Sequence, residues 1–99
     1  MYLIREVMSC KPGKVRSMVE KFKGISIAMK DMGHKPFRVL TDVSGELFWT
    51  VVAETEVASL DEFFTMQDKL MASESLRKIM AGYHDLVDRG RREIFHIEG

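Results

Sequence analysis

The stretch Leu47-Phe48-Trp49-Thr50-Val51-Val52-Ala53 decides how this chain is read. Both of its alternating sets are apolar, with β-branched and aromatic residues throughout, which predicts a central strand covered on two faces. Gly45 before it and Glu54-Thr55-Glu56 after it set its expected limits. Whatever covers those two faces defines the fold.

Immediately upstream, Phe37 to Val43 alternates as Phe37, Val39, Thr41, Val43 against Arg38, Leu40, Asp42, a second strand. The turn between the two strands is constrained by parity, because directly paired residues share a face. A two-residue Ser44-Gly45 loop pairs Leu40 with Trp49 and sets Arg38 against Val51. A three-residue Val43-Ser44-Gly45 loop pairs Val39 with Trp49, Phe37 with Val51 and Leu40 with Phe48, and is preferred.

Further out, Tyr2 to Met8 reads as a first strand stopped by Pro12-Gly13. Val15, Met18, Val19, Phe22, Ile25, Met29 and Met32 then follow at helical spacing, a long amphipathic helix ending at Gly33. Gly24 inside it implies close packing or a bend, since it costs about 1 kcal/mol relative to Ala. On the other side, Ser59-Leu60-Asp61-Glu62 has the spacing of a capping box and opens a helix that buries Leu60, Phe63, Phe64, Leu70 and Met71. Ala72-Ser73-Glu74-Ser75 interrupts it. A fresh stripe at Leu76, Ile79, Met80, Tyr83, Leu86 and Val87 predicts a second helical piece that finishes near Gly90. Arg91 to Ile97 is the last strand, with Glu93, Phe95 and Ile97 against Arg92, Ile94 and His96.

Strand-helix-strand twice over predicts an α+β ferredoxin-like β-α-β-β-α-β sandwich: a four-stranded antiparallel sheet with both helices on one face and the central strand between the first and second. Ninety-nine residues suffice for one core, so residues 1–99 are expected to form a single domain. Fifteen basic and fifteen acidic side chains cancel, which argues against nucleic acid and against an anionic membrane surface. Cys10 is the only cysteine, which excludes an intrachain disulfide. Neither a signal sequence nor a membrane-length apolar run is present, and the expected setting is cytoplasmic.

With both helices on one face, the favoured occupants of that face are Ile4, Met8, Phe37, Val39, Val43, Trp49, Val51, Ala53, Phe95 and Ile97. The other face collects Leu3, Val7, Leu40, Phe48, Val52 and Ile94 with Arg5, Arg38, Asp42, Glu54, Arg92 and His96. That set is too apolar for water and too charged for a closed core. It points to a homodimer packed sheet against sheet, with Leu3, Arg5, Val7, Arg38, Leu40, Phe48, Val52 and Ile94 at the interface.

A split β-α-β unit of this length with an apolar outer sheet face resembles the dimeric α/β-barrel superfamily. Tyr2-x-x-Arg5 followed by Lys11-Pro12-Gly13-Lys14 is similar to the opening of its NIPSNAP-type members. The resemblance implies sheets packed face to face in a dimeric barrel and a pocket between sheet and helices, as in the superfamily's cofactor-free monooxygenases and lactone isomerases. Its haem-degrading members carry a Trp and a His on the second helix and an Asn on the first strand. Here His84 has no such Trp, and residues 2–8 contain no Asn.

The candidate chemistry follows from the expected inner face. Glu6, partly desolvated there, would act as a general base, with His84 beside it; the alternative leaves Glu6 at a strand end in water. Trp49, Tyr83 and Met80 would wall an apolar ligand pocket, or else simply be core. His34, His84, His96 and Cys10 lack the close spacing of a metal site, and no Gly-rich phosphate loop is present, so neither metal nor cofactor is expected. The leading function is binding, and at most transformation, of a small apolar or aromatic organic molecule. The alternatives are a single-stranded RNA-binding module using Phe48, Arg5, Arg38 and Arg92 on the open sheet, and a non-catalytic structural or regulatory dimer.

Overall fold

A computed structural model describes residues 1–99. Along the chain run β1 (Tyr2–Cys10), α1 (Val15–Asp31), β2 (Arg38–Thr41), β3 (Thr50–Val57), α2 (Leu60–Ala72), α3 (Glu74–Met80), a single 3-10 turn (Tyr83–Asp85) and β4 (Val87–His96). The strands form one antiparallel sheet in the order β2-β3-β1-β4, the ferredoxin-like arrangement. Ile4, Val51 and Ala53 from the sheet meet Met18, Phe22, Ile25 and Met29 of α1, Phe63, Met66 and Leu70 of α2 and Leu76 of α3 in one buried cluster. The Cα positions span 37 × 35 × 17 Å, the thickness of one sheet plus one helical layer. Nothing in the chain forms a second layer on the outer sheet face.

The helix punctuation acts where the residue types place it. Gly33 at φ 81° ends α1, with its N–H donating to Lys30 O and that of His34 to Met29 O, the paired bonds of a Schellman cap. Ser59 accepts from Glu62 N at the start of α2. Only that half of the capping box forms, because the Glu62 carboxylate lies 3.8 Å from His34 Nδ1 instead. Ser73, in extended backbone, separates α2 from α3 and caps the latter through Leu76 N. A Cβ on Gly24 would stand 2.9 Å from Ile79 Cγ2, so the bare backbone lets α1 and α3 approach.

Three expectations are corrected. The central strand is Thr50–Val57, not 47–53, and Val39 pairs with Ala53 and Leu40 with Val52. The register is displaced from the expected one by an even number of residues, so faces are kept while partners change. Glu54-Thr55-Glu56 belongs to the strand because its polar groups are satisfied: Glu54 by Arg5 and Arg38, Thr55 Oγ1 by Lys35 O. Leu47, Phe48 and Trp49 instead lie in the 42–49 connection, which Asp42 closes by accepting from Thr50 N at 2.8 Å. Trp49 there has φ 57°.

The second correction is that the helical piece stops at Met80. Gly82 turns the chain at φ 79°, and Leu86 and Val87 lead into β4. The third concerns β4. Pairing of Ile4 with Ile94 and Glu6 with Arg92 puts Arg92, Ile94 and His96 on the helix side, and Glu93 and Phe95 on the outer side opposite Arg5 and Leu3. Ile94 therefore leaves the outer-face set and Phe95, 48% exposed, joins it.

Candidate functional site

Helix α1 packs against β2 and β3, while α2 and α3 lean over the sheet without sealing its β1–β4 side. Below them opens a cleft of about 460 Å³ lined by eighteen residues, twelve of them hydrophobic. Its apolar wall includes Phe22, Phe37, Phe63, Met66, Leu70, Leu76 and Met80. Its polar groups are Glu6, Gln67, Arg77, Tyr83, His84 and Arg92. The size and the few convergent polar groups fit a small-molecule site, for which roughly 300–1,000 Å³ is usual.

Strand alternation places Glu6. Ile4, Glu6 and Met8 all point to the helix side, and Glu6 sits where the helical cover ends. Its side chain is only 14% exposed. Burial pushes its carboxyl above the usual carboxylate range, and the charge and hydrogen bond of Arg92 only partly offset this. Arg92 Nε donates to Glu6 Oε1 at 2.5 Å and Arg92 Nη2 donates to Gln67 Oε1. The guanidinium carbon lies 5.3 Å from the centre of the Phe63 ring and 6.0 Å from that of Phe64, which holds the fork on an aromatic bed. His84 stands beside Tyr83, ring centres 4.0 Å apart, on the 3-10 turn at the cleft's rim. A largely buried carboxylate and an imidazole thus line the same cleft, groups of the kind that transfer protons.

Four of the five residues expected at the pocket therefore line one cleft: Glu6, His84, Tyr83 and Met80. Trp49 does not. It lies in the 42–49 connection, 46% exposed and tilted against Phe48, and its carbonyl accepts from Cys10 N. The cleft also holds Arg92, Gln67 and Phe63, none of which the sequence alone places at a ligand site. Arg92 was set on the wrong face, and the opposite charges of Glu6 and Arg92 on neighbouring strands were the signal for it.

On the outer face, Glu54 is 7% exposed between Arg5 and Arg38. Arg5 Nε approaches Glu54 Oε2 at 3.2 Å as an ion pair without hydrogen-bond alignment, and Arg5 Nη1 donates to Glu93 Oε1. Leu47 and its neighbours in the connection share a hollow of about 230 Å³ with Val7, Leu40 and Val52. Burial pushes the Cys10 thiol up, away from reactivity. No group of three or more His, Cys, Asp or Glu side chains is placed to share a metal ion, and no helix is long and apolar enough to cross a membrane.

No protein-family model matches the sequence, and no curated protein matches it. Solved structures do. A NIPSNAP family protein from Agrobacterium tumefaciens superposes at a TM-score of 0.79 with 17% identity, over 96% of this chain and 90% of that one. An uncharacterized NIPSNAP-like domain protein from Burkholderia xenovorans gives 0.80 and 15%, over 98% and 84%. A candidate antibiotic biosynthesis monooxygenase from Deinococcus radiodurans gives 0.70 and 12%, over 100% and 94%. The α+β ferredoxin-like fold of this chain is thus the fold of NIPSNAP proteins and of an antibiotic-biosynthesis-monooxygenase-like neighbour.

Proposed function

We propose that the protein is a homodimer, packed sheet against sheet, in which each subunit binds a small apolar or aromatic organic molecule between sheet and helices. The observation that carries the binding half is the cleft, with its apolar wall and its Glu6–Arg92 pair at one side. Glu6 and His84 are the groups that would exchange a proton with a bound molecule, Glu6 because burial already favours its protonated form. Tyr83 and Met80 would contact the ligand. The monooxygenase-like neighbour is consistent with a ligand of this class.

The dimer half is supported by the outer face. Val7, Leu40 and Val52 form one apolar row and Leu3 and Phe95 a second, with the ion-paired Arg38–Glu54–Arg5–Glu93 row between them, so the charges that a covering sheet would bury are already paired within the chain. Phe48, in the 42–49 connection, is 78% exposed.

Titration with the neutral dye N-phenyl-1-naphthylamine tests the cleft. Saturable fluorescence enhancement with about one site per chain is expected, lost when Met80→Trp fills the space. A linear, unsaturable response would reject the pocket. Light scattering at micromolar concentration should return twice the chain mass, falling to one chain mass in Phe95→Glu. A monomeric wild type would reject the dimer.

A further inference from the structure

The polar groups of the cleft are not spread evenly, and their arrangement bears on what kind of molecule fits. Glu6, Met8, Tyr83, His84 and Arg92 also line an adjoining hollow of about 530 Å³, whose other walls bring Arg89 and Arg91 together with Asp88. The two spaces have Glu6, Met8, Tyr83, His84 and Arg92 in common. One end is apolar; the other is a mouth lined by Glu6, Asp88, Arg89, Arg91 and Arg92, of which Arg92 is paired with Glu6 and Arg91 with Glu93.

Arg92 stands at the junction with part of its fork unused. Its Nε is taken by Glu6 and one proton of Nη2 by Gln67, while Nη1 makes no hydrogen bond within the chain. The hydrogen bonds to Glu6 and Gln67, with the Phe63 ring 5.3 Å from the guanidinium carbon, hold the fork in place, so less of it has to be ordered on binding. A planar fork with an open end matches two carboxylate oxygens. Glu6 pairs with Arg92 and Glu93 with Arg91, so the open end of one fork, rather than a surplus of charge, is what a ligand meets, and it seats a single carboxylate. A divalent headgroup would meet Glu6 and Asp88 without a second free fork.

We infer, resting on the pocket reading above, that the cleft takes an amphipathic monoanion: an apolar or aromatic body in the chamber and a carboxylate seated end-on against Arg92. This narrows the ligand class from any greasy molecule to one with an acidic head. It also gives Arg92 a ligand-binding role, with Gln67 and Phe63 positioning its guanidinium.

Displacement of bound N-phenyl-1-naphthylamine by decanoate and by 1-decanol separates the readings, since the two competitors share a tail and differ in charge. In the wild type decanoate should displace the dye at about tenfold lower concentration than decanol, the size of a charge-assisted bond in a half-open site. Arg92→Gln should erase that preference while dye and decanol binding persist, and Arg92→Lys should retain part of it. Retained dye binding in the variants also shows that they are folded. Equal displacement by both competitors in the wild type, or an unchanged preference in Arg92→Gln, overturns the inference and leaves the pocket standing. Failure of the dye itself to bind removes the pocket and the inference together.

Discussion

Gly24→Ala is the substitution whose outcome the packing fixes most closely. In isolation it should stabilise α1, because Ala exceeds Gly in a helix by about 1 kcal/mol. Here the new methyl would stand 2.9 Å from Ile79 Cγ2 and 3.3 Å from Cδ1. Carbon atoms rest at about 3.5–4.0 Å, so more than half an ångström of overlap has to be relieved. Cγ2 hangs directly on Cβ, and a β-branched side chain has few rotamers to escape into, so α3 has to move or strain. Overpacking of this kind costs about 1–3 kcal/mol. Set against the propensity gain, the net is a loss of roughly 1 kcal/mol, or a fall in Tm of about 4–8 °C for a domain of this size. Ile79→Ala removes the obstructing atoms, and in that background Gly24→Ala should turn stabilising by about 0.5–1 kcal/mol. The four proteins of this cycle, unfolded in urea at one protein concentration, therefore give a coupling of about 2 kcal/mol. A Gly24→Ala effect of the same sign and size in both backgrounds would refute the close α1–α3 contact. It would also loosen the cleft's description, since Leu76, Arg77 and Met80 of α3 form part of its wall.

The remaining expectations concern Glu6 and Trp49. Because the Glu6 pKa in the folded chain lies above its ordinary value of 4.5, ionised Glu6 is a net cost to folding above that folded pKa. The cost fades as pH falls through the folded pKa and is gone below about 4.5. Glu6→Gln should accordingly be at least as stable as wild type near pH 8, with the difference changing as pH falls from the raised pKa to about 4.5 and flat below that. A variant clearly less stable at pH 8 would show that the attraction of Arg92 outweighs burial. At Trp49, φ 57° is a left-handed conformation that disfavours any side chain by about 1–2 kcal/mol. Both Trp49→Gly and Trp49→Ala lose the contact with Phe48, so the Gly variant should be the more stable by about 1 kcal/mol in urea unfolding; equal midpoints would contradict that backbone geometry.

Local signals carried the helices and the strand order. The three-and-four spacing of α1, the stop at Gly33, the cap at Ser59 and the break before α3 each depend on residues a few positions apart. The errors arose where a residue's partner is distant in the chain. Hydrophobicity alone favoured 47–53 for the central strand, because Glu54 is tolerable inside a sheet only once Arg5 and Arg38 flank it. In β4 the bulk of Phe95 and Ile97 points the sequence reading to the wrong face. A sheet edge that the helices leave half uncovered does not sort residues by bulk: Ile94 on one side is 38% exposed and Phe95 on the other 48%. Charge does sort them. Among the pairings of β1 with the last strand, the observed one sets Arg5 against Glu93 and Glu6 against Arg92 at once. Opposite charges directly across an antiparallel pair attract and like charges repel, so that register was available in principle from four residues. The same pairing turns Arg92 toward Glu6 and Gln67, so the polar edge of the cleft is a direct consequence of the β1–β4 register.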